Sequence, residues 1–149
     1  DVVVLAIPVG ADLTVPAEPL DSKIVVDCMN YFEERDGRID FHDLTSSELV
    51  ARHLPAARVV KAFNTMRFDV LGQEGRPGAP ESERLAIFLA GDDAKAKATV
   101  SRLIEEIGFA PIDTGSLKDG GRMQEPGSPI FTRRLTAAQA REALARRAA

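Results

Sequence analysis

The sequence is short of the residues that most often carry chemistry. Its 149 residues include no tryptophan, two histidines and one cysteine, Cys28. A lone cysteine cannot form a disulfide within the chain, which favours a reducing compartment and a cytoplasmic location. We expect Cys28 to be a small buried residue rather than a reactive thiol. The two histidines lie far apart with no cysteine or glutamate pattern around them, so we expect no metal site.

Charge and hydropathy exclude two classes of partner. The formal net charge is −4, and no basic stripe occurs outside the last nine residues. Binding to nucleic acid is therefore disfavoured. The apolar runs are far too short to cross a bilayer, and no basic-apolar-small leader precedes Asp1, so we expect no membrane partner. The content of 44% hydrophobic and 28% charged residues is typical of a folded globular protein.

Motifs for covalent or hydrolytic catalysis are missing. The chain has no H-E-x-x-H, no G-x-S-x-G and no G-x-G-x-x-G. Gly120 and Gly121 follow no predicted strand and open no predicted helix, so they are not a phosphate-binding loop. Asp92 and Asp93 are adjacent carboxylates, but their position favours capping of a helix over acid–base catalysis. No catalytic residue is assigned.

The pattern of apolar segments predicts an α/β fold with a mostly parallel, doubly wound sheet. The first strand is rich in valine, which is typical of a strand covered on both faces. Capping boxes predict helices after Thr45 and after Thr136, and an aspartate cap predicts one after Gly91 that ends at Gly108. Five strands are predicted, at Val2–Ile7, Ile24–Asp27, Arg58–Ala62, Leu85–Ala90 and Ala110–Asp113.

We expect one domain over residues 1–149. Residues 1–113 hold the strands and helices of the core, and residues 114–149 form a loop and a terminal helix. The stretches 72–82 and 114–129 are rich in glycine and proline, so we expect them to lack regular structure.

Polar side chains follow the ends of the predicted strands, where open α/β sheets bind ligands. Asn30, Lys61, Asn64 and Thr65 suit a flat ligand that forms hydrogen bonds, since amides and a hydroxyl pair with a carboxamide or a flavin-like edge. The alternative is that both asparagines serve turn geometry. The alternative for Lys61 is a charge at an interface or strand edge.

The chain contains, in order, the segments DVVVLAIP, KIVVDCMNYF, SSELVARHLPAARVVKAFNTM and LAIFLAGDDAKAKATVSRLIEEIGFAPIDTGSL, and GGRMQ and PGSPI continue the pattern. Together these segments resemble the NADP oxidoreductases that depend on the deazaflavin coenzyme F420. The KAFNT version is also similar to the reductase domain of membrane metalloreductases, which pair NADPH with FAD. In the archaeal deazaflavin-dependent enzymes, the sequence resembles leucine-histidine-threonine at the place where this chain has Phe63, Asn64 and Thr65.

The resemblance implies an NAD(P)-binding Rossmann-like oxidoreductase that passes a hydride between NADP(H) and F420, FAD or FMN. It implies that Ile7, Pro8 and Val9 lie against NADP and that Asn30 faces the nicotinamide side. Asn64, Thr65 and Met66 would line the pocket where the two rings stack, while the coenzymes supply the chemistry.

The same resemblance implies that the sheet is incomplete at its amino end. The family's opening strand, its glycine-rich loop, the first helix and the second strand all belong before Asp1. We therefore expect the 149 residues alone to be inactive. An unpaired strand edge invites pairing with another chain, which predicts a homodimer.

Two other functions stay open from the sequence. One is a non-catalytic Rossmann-like module for assembly or ligand sensing. The other is a dehydrogenase of a small alcohol or acid, for which Lys61 is the only candidate proton donor.

Overall fold

The fold is built on one five-stranded sheet. The computed structural model describes residues 1–10 and 14–148. The strands lie in chain order across the sheet and are β1 Val2–Leu5, β2 Ile24–Asp27, β3 Arg58–Ala62, β4 Ala86–Gly91 and β5 Ala110–Asp113. The five predicted strands are confirmed, with β1 ending two residues earlier than expected and β4 shifted by one.

The sheet is mixed at one junction. β1, β2 and β3 are parallel to one another, and β4 and β5 are parallel to each other. β4 runs antiparallel to β3, with Lys61 opposite Ala90. Three of the four pairings are therefore parallel, and the predicted α/β class with a mostly parallel sheet is confirmed.

In the described part of the chain, six α-helices accompany the sheet: α1 Glu33–Asp36, α2 Ser46–His53, α3 Phe68–Gln73, α4 Ala94–Glu106, α5 Asp119–Met123 and α6 Ala137–Ala148. Single 3₁₀ turns occur at Glu18–Leu20 and Glu81–Glu83. The helices α2, α4 and α6 are the three that the sequence predicts. The other three hold four to six residues, too few for a hydrophobic period to emerge.

The predicted helix caps are confirmed by their hydrogen bonds. Thr45 and Glu48 form a reciprocal capping box at α2, and Thr136 pairs in the same way with Gln139 at α6. Asp93 Oδ1 accepts from Ala96 N, 2.7 Å away, at the start of α4. The predicted irregular stretch 114–129 differs from expectation, because it contains α5.

The core has apolar layers on both faces of the sheet. One face packs against α4, and its side chains include Val26, Val60 and Leu89. On the other face, α2 packs against the β1–β3 side. Helix α6 packs against β4 and β5. The sheet thus lies between helices, as in a doubly wound fold.

In the described residues β1 is covered on one face only, although its valines are typical of a strand covered on both, and this agrees with the prediction of a sheet that is incomplete at its amino end. β1 lies at the edge of the sheet, and Val2 and Val4 are 41% and 54% exposed. Leu5 is buried in the core on the opposite face, together with the half-buried Val3. The valines alone cannot tell a central strand from an edge strand, since both favour β-branched residues.

Helix α4 buries only part of its apolar face in the core. Ala96, Val100 and Ile104 are fully buried, but Ile107 is 40% exposed because it is already the last residue before the turn. Within the described residues, no helix has both the length and the apolar composition needed to span a bilayer.

Gly108, which ends α4, has two reasons to be glycine. Its φ is +88°, and an added Cβ would lie 2.3 Å from Arg76 N. We expect Gly108→Ala to lower the free energy of unfolding by more than the roughly 1–2 kcal/mol that a left-handed backbone costs an ordinary residue. Gly127→Ala is the matched control, because Gly127 has φ +85° and open space around it. Urea unfolding measures both variants, and equal losses would contradict the predicted clash.

Candidate functional site

Three predicted strand-end turns meet at one edge of the sheet. The turns after β1, β2 and β3 lie together because these strands are parallel. The turn after β4, predicted to join them, lies at the opposite edge because β4 is antiparallel to β3. There, Asp92 accepts from Leu117 N and Asp93 caps α4, so these carboxylates serve the backbone.

The chain's two asparagines meet where β2 and β3 end. Asn30 Nδ2 donates to Asn64 O at 3.0 Å, and Asn64 Nδ2 donates to Asn30 Oδ1, also at 3.0 Å. Asn64 Nδ2 donates a second bond to Gln124 O at 2.7 Å. The pair therefore joins the ends of β2 and β3 to the segment that follows α5.

The turn that carries Asn64 is strained. Phe63 has φ +67°, a left-handed conformation that bulky side chains rarely adopt. Such conformations persist where surrounding structure holds them and cluster at functional sites. Asn64 is 6% exposed, so its carboxamide is fixed inside the protein rather than in solvent.

Gln124 is a site residue that the sequence reasoning missed. It is fully buried, and its Nε2 donates to Thr114 Oγ1 at 2.9 Å. A single glutamine in a glycine-rich stretch carries no signal of burial. Gly120 lets the segment that carries Gln124 lie close to Thr114, since an added Cβ at position 120 would lie 2.5 Å from Thr114 O.

Two buried amide oxygens at the site are left without a donor. Asn64 Oδ1 and Gln124 Oε1 have no hydrogen-bond partner among the described residues, and Ser128 Oγ, in the segment after Gln124, has none either. Most buried polar atoms in folded proteins have a partner. These oxygens are therefore acceptors that an N–H or O–H donor would satisfy.

The remaining predicted site residues differ in burial and in the layer of the core that they join. Ile7 is 46% exposed and Pro8 is exposed, both just beyond β1. Val9 is buried in the core. Thr65 is also buried, and its carbonyl accepts from Thr132 N at 3.0 Å. Met66 packs against the α4 side of the core.

The alternative of a strand-edge charge at Lys61 is wrong, because Lys61 is buried on an inner strand of the sheet. It is the largest fully buried side chain, and its Nζ lies 3.6 Å from Asp27 Oδ2. Its Nζ also donates to Met29 O at 3.3 Å. Lys61 lies on an inner strand of the sheet, beneath α5, where a Cβ on Gly121 would be 4.0 Å from Lys61 Cδ.

The loop after β2 is braced by an ion pair. Arg35 binds Asp36 through two nitrogens, at 2.7 and 2.8 Å, and donates to Asn30 O at 2.5 Å. The hydrogen bonds from Arg35 hold the pKa of the Asp36 carboxyl below its usual value. Asp36 also accepts from Phe32 N, so the loop is tied to itself at several points.

A cleft of about 430 Å³ opens beside Tyr31, next along the chain from Asn30. The loop after β2 forms one wall and the segment after α5 forms the other, and Tyr31 and Phe41 meet edge to face, with ring centres 4.8 Å apart. Arg122 and Glu125 border both this cleft and a second one of about 510 Å³. His42 and Asp43, on the first wall, both have positive φ.

Two solved structures resemble this chain closely. That of a hypothetical protein, SMa0349, from Sinorhizobium meliloti has a TM-score of 0.76 at 34% identity, and the match covers 91% of this chain and 66% of that one. That of a protein from Arthrobacter sp. FB24, assigned as an F420-dependent NADP reductase, has a TM-score of 0.55 at 32% identity. The second match covers 72% of this chain and 50% of that one.

Two membrane metalloreductases match by sequence. STEAP3 of Rattus norvegicus is 36% identical over 101 residues, which is 68% of this chain and 19% of that protein. STEAP2 of Homo sapiens is 26% identical over 113 residues, which is 76% of this chain and 21% of that protein. No family model matches the sequence. The chain is related to reductases.

Both resemblances predicted from the sequence are thus confirmed, to F420-dependent NADP reductases and to metalloreductases. The fold resembles that of an NADP-binding Rossmann-like reductase. The chain spans about a fifth of the metalloreductases and between half and two thirds of the two solved chains.

Cys28, directly after β2, is half-buried, which is less than the full burial expected from the sequence, and its surroundings favour the neutral thiol. Burial raises the pKa of its thiol from 9.0 to about 12, with Asp27 adding to the rise and Lys61 opposing it. At about pH 8 this lowers the thiolate fraction by roughly 1,000-fold. We expect a disulfide reagent such as DTNB to modify Cys28 roughly 1,000-fold more slowly in the native chain than in the denatured chain.

The rate on the native protein should keep rising with pH up to about 12, because the thiolate is the reactive form. Cys28→Ser supplies the blank. Native modification as fast as that of the denatured chain would contradict the assignment of Cys28 as an unreactive structural residue.

Proposed function

We propose that this protein is an NADP(H)-dependent oxidoreductase that transfers a hydride between NADP(H) and the deazaflavin F420, FAD or FMN. The observation that carries the proposal is the buried asparagine pair, in which Asn64 Oδ1 is left as an acceptor without a donor. The related reductases support the choice of coenzyme class.

The carboxamide of a nicotinamide ring fits the chemistry of this site. Its N–H₂ group would donate to Asn64 Oδ1, an atom that is otherwise buried at a cost in desolvation. Asn30 and Asn64 orient each other through reciprocal bonds, so the acceptor is held in place before binding. Neutral amides also keep the same hydrogen-bonding pattern across the physiological pH range.

Apolar residues at the same edge would exclude water from the reacting rings. Ile7 and Pro8 present exposed apolar surface beyond β1, and we assign them and Val9 to contact with the dinucleotide. Thr65 and Met66 would complete the pocket beside Asn64. Hydride transfer is the chemistry that the bound coenzymes supply, and the protein contributes position and a dry cavity.

The cleft beside Tyr31 is a suitable place for the second coenzyme. Its volume of about 430 Å³ falls in the range of small-molecule sites, and aromatic side chains line it together with Arg122. Tyr31, which lines the cleft, is the next residue after Asn30 in the chain.

The 149 residues contain no glycine-rich loop for a pyrophosphate. We therefore expect this chain alone to bind NADPH weakly and to be inactive, and the protein in its full natural length to carry the activity. Small-molecule coenzymes are its proposed ligands, at a cytoplasmic location.

The decisive experiment uses the protein in its full natural length. NADPH binding is followed by fluorescence, and NADPH oxidation is followed with F420, FAD and FMN as separate acceptors. We expect one acceptor to be reduced and Asn64→Ala to weaken NADPH binding by about tenfold, the loss of one hydrogen bond. No NADPH binding by the wild-type protein would refute the proposal.

Gln73→Ala is the matched control for Asn64→Ala. Gln73 carries the same carboxamide group, but it is exposed at the end of α3, away from the site. Its replacement should leave NADPH affinity unchanged. Thermal unfolding of each variant shows whether a loss of affinity comes from a loss of folded protein.

A second candidate function is a non-catalytic assembly module. In these 149 residues β1 leaves an unpaired strand edge and, at Val2 and Val4, an exposed apolar face, and either could bind a second copy. Stable dimers that bind no dinucleotide, measured by light scattering and calorimetry, would support this function over hydride transfer.

A further inference from the structure

Asp27 and Lys61 form an ion pair that the stability of the core does not explain. Both side chains are about 1% exposed, and the two residues lie directly opposite each other in the register of β2 and β3. Removing two charges from water is costly, and well-packed apolar residues of similar size often serve stability as well or better. The hydrogen bonds of the pair show that it also holds the backbone at Met29.

Asp27 and Lys61 hold the backbone N–H and the carbonyl oxygen of the same residue, Met29. Asp27 Oδ1 accepts from Met29 N at 2.9 Å, and Lys61 Nζ donates to Met29 O at 3.3 Å. The second carboxylate oxygen of Asp27 accepts from Ser47 Oγ at 2.5 Å, which fixes the carboxylate against α2. Met29 is thereby attached to β2, β3 and α2 together.

The residue that follows Met29 is Asn30. Its own carbonyl accepts from Arg35 at 2.5 Å, and its side chain makes the two bonds with Asn64. The backbone is therefore held on both sides of Asn30, by Lys61 before it and by Arg35 after it. With the backbone fixed, few rotamers bring the Asn30 carboxamide to Asn64.

We propose that Asp27 and Lys61 are positioning residues, which hold the Met29–Asn30 peptide and so align the Asn30 carboxamide with Asn64. Their importance for catalysis rests on the function proposed above. The alignment itself is a property of this chain and can be measured without any coenzyme.

Selective isotope labelling makes the test direct, because the chain contains only two asparagines. Asparagine labelled with nitrogen-15 in its side chain gives two carboxamide signals, one from Asn30 and one from Asn64. In the wild-type chain we expect both to be shifted from solvent values and to exchange slowly with water, since both amides are hydrogen-bonded.

The main variant is the double substitution Asp27→Asn with Lys61→Met. It removes both charges and the bond to Met29 O, while an amide oxygen at position 27 can still accept from Met29 N. Lys61→Met alone would leave Asp27 as an unpaired buried charge, so a failure of this single variant to fold would not test whether the pair positions Asn30. The single variant Asp27→Asn identifies the extra carboxamide signal that this substitution adds.

We expect the carboxamide of Asn30 to exchange at least about tenfold faster in the double variant, with both original signals moved toward solvent values. Lys23→Met is the control, since it removes a Lys–Asp ion pair from the exposed start of β1 and β2, at the end of the sheet far from Asn30. It should leave both signals unchanged.

Unchanged asparagine signals in a folded double variant would overturn the proposal. An unfolded double variant would overturn it as well, because the pair would then be needed for the fold as a whole. In the protein of full natural length, we expect the double variant to lower kcat at least about tenfold, with KM for NADPH changed less than about threefold. If the signals respond but no form of the protein transfers a hydride, the proposed function fails and the positioning role stands.

Discussion

The parallel register of β2 and β3 is the constraint on which the site depends. It sets Asp27 opposite Lys61, and it brings the two turns that carry Asn30 and Asn64 to the same edge of the sheet. If β3 shifted by one residue along β2, the side chain of Lys61 would point into the apolar layer beside α4, and an apolar neighbour would point toward α2. The buried charges thus oppose any slip of the strands, because a misplaced charge inside the core is costly.

Local features of the fold are readable from the sequence, because local interactions determine them. The capping boxes at Thr45 and Thr136 need only residues three positions apart, and the structure contains both. The same holds for the glycine that ends α4 and for the five apolar strands. The asparagines also stood out, since polar residues directly after buried strands are conspicuous.

Features that depend on distant contacts were not readable. Whether β4 runs parallel or antiparallel to β3 depends on the path of the connection between them, and apolar content alone does not encode direction. The burial of Lys61 depends on α5, whose Gly121 lies over it. Gln124 enters the site because that helix crosses back over the sheet, 60 residues after Asn64. No spacing pattern within a strand or helix announces such a contact.

The site is made from contacts that are remote along the chain. Asn30 and Asn64 are 34 residues apart, Asn64 and Gln124 are 60 apart, and the bond from Thr45 to Leu117 spans 72. Contacts of this kind cost the most loop entropy and become favourable only after nearer ones have formed. We therefore expect the sheet to assemble first and the asparagine pair to acquire its last partner only when the segment after β5 docks. Newly made chains would thus reach a sheet-bearing state before they are competent to recognise a ligand.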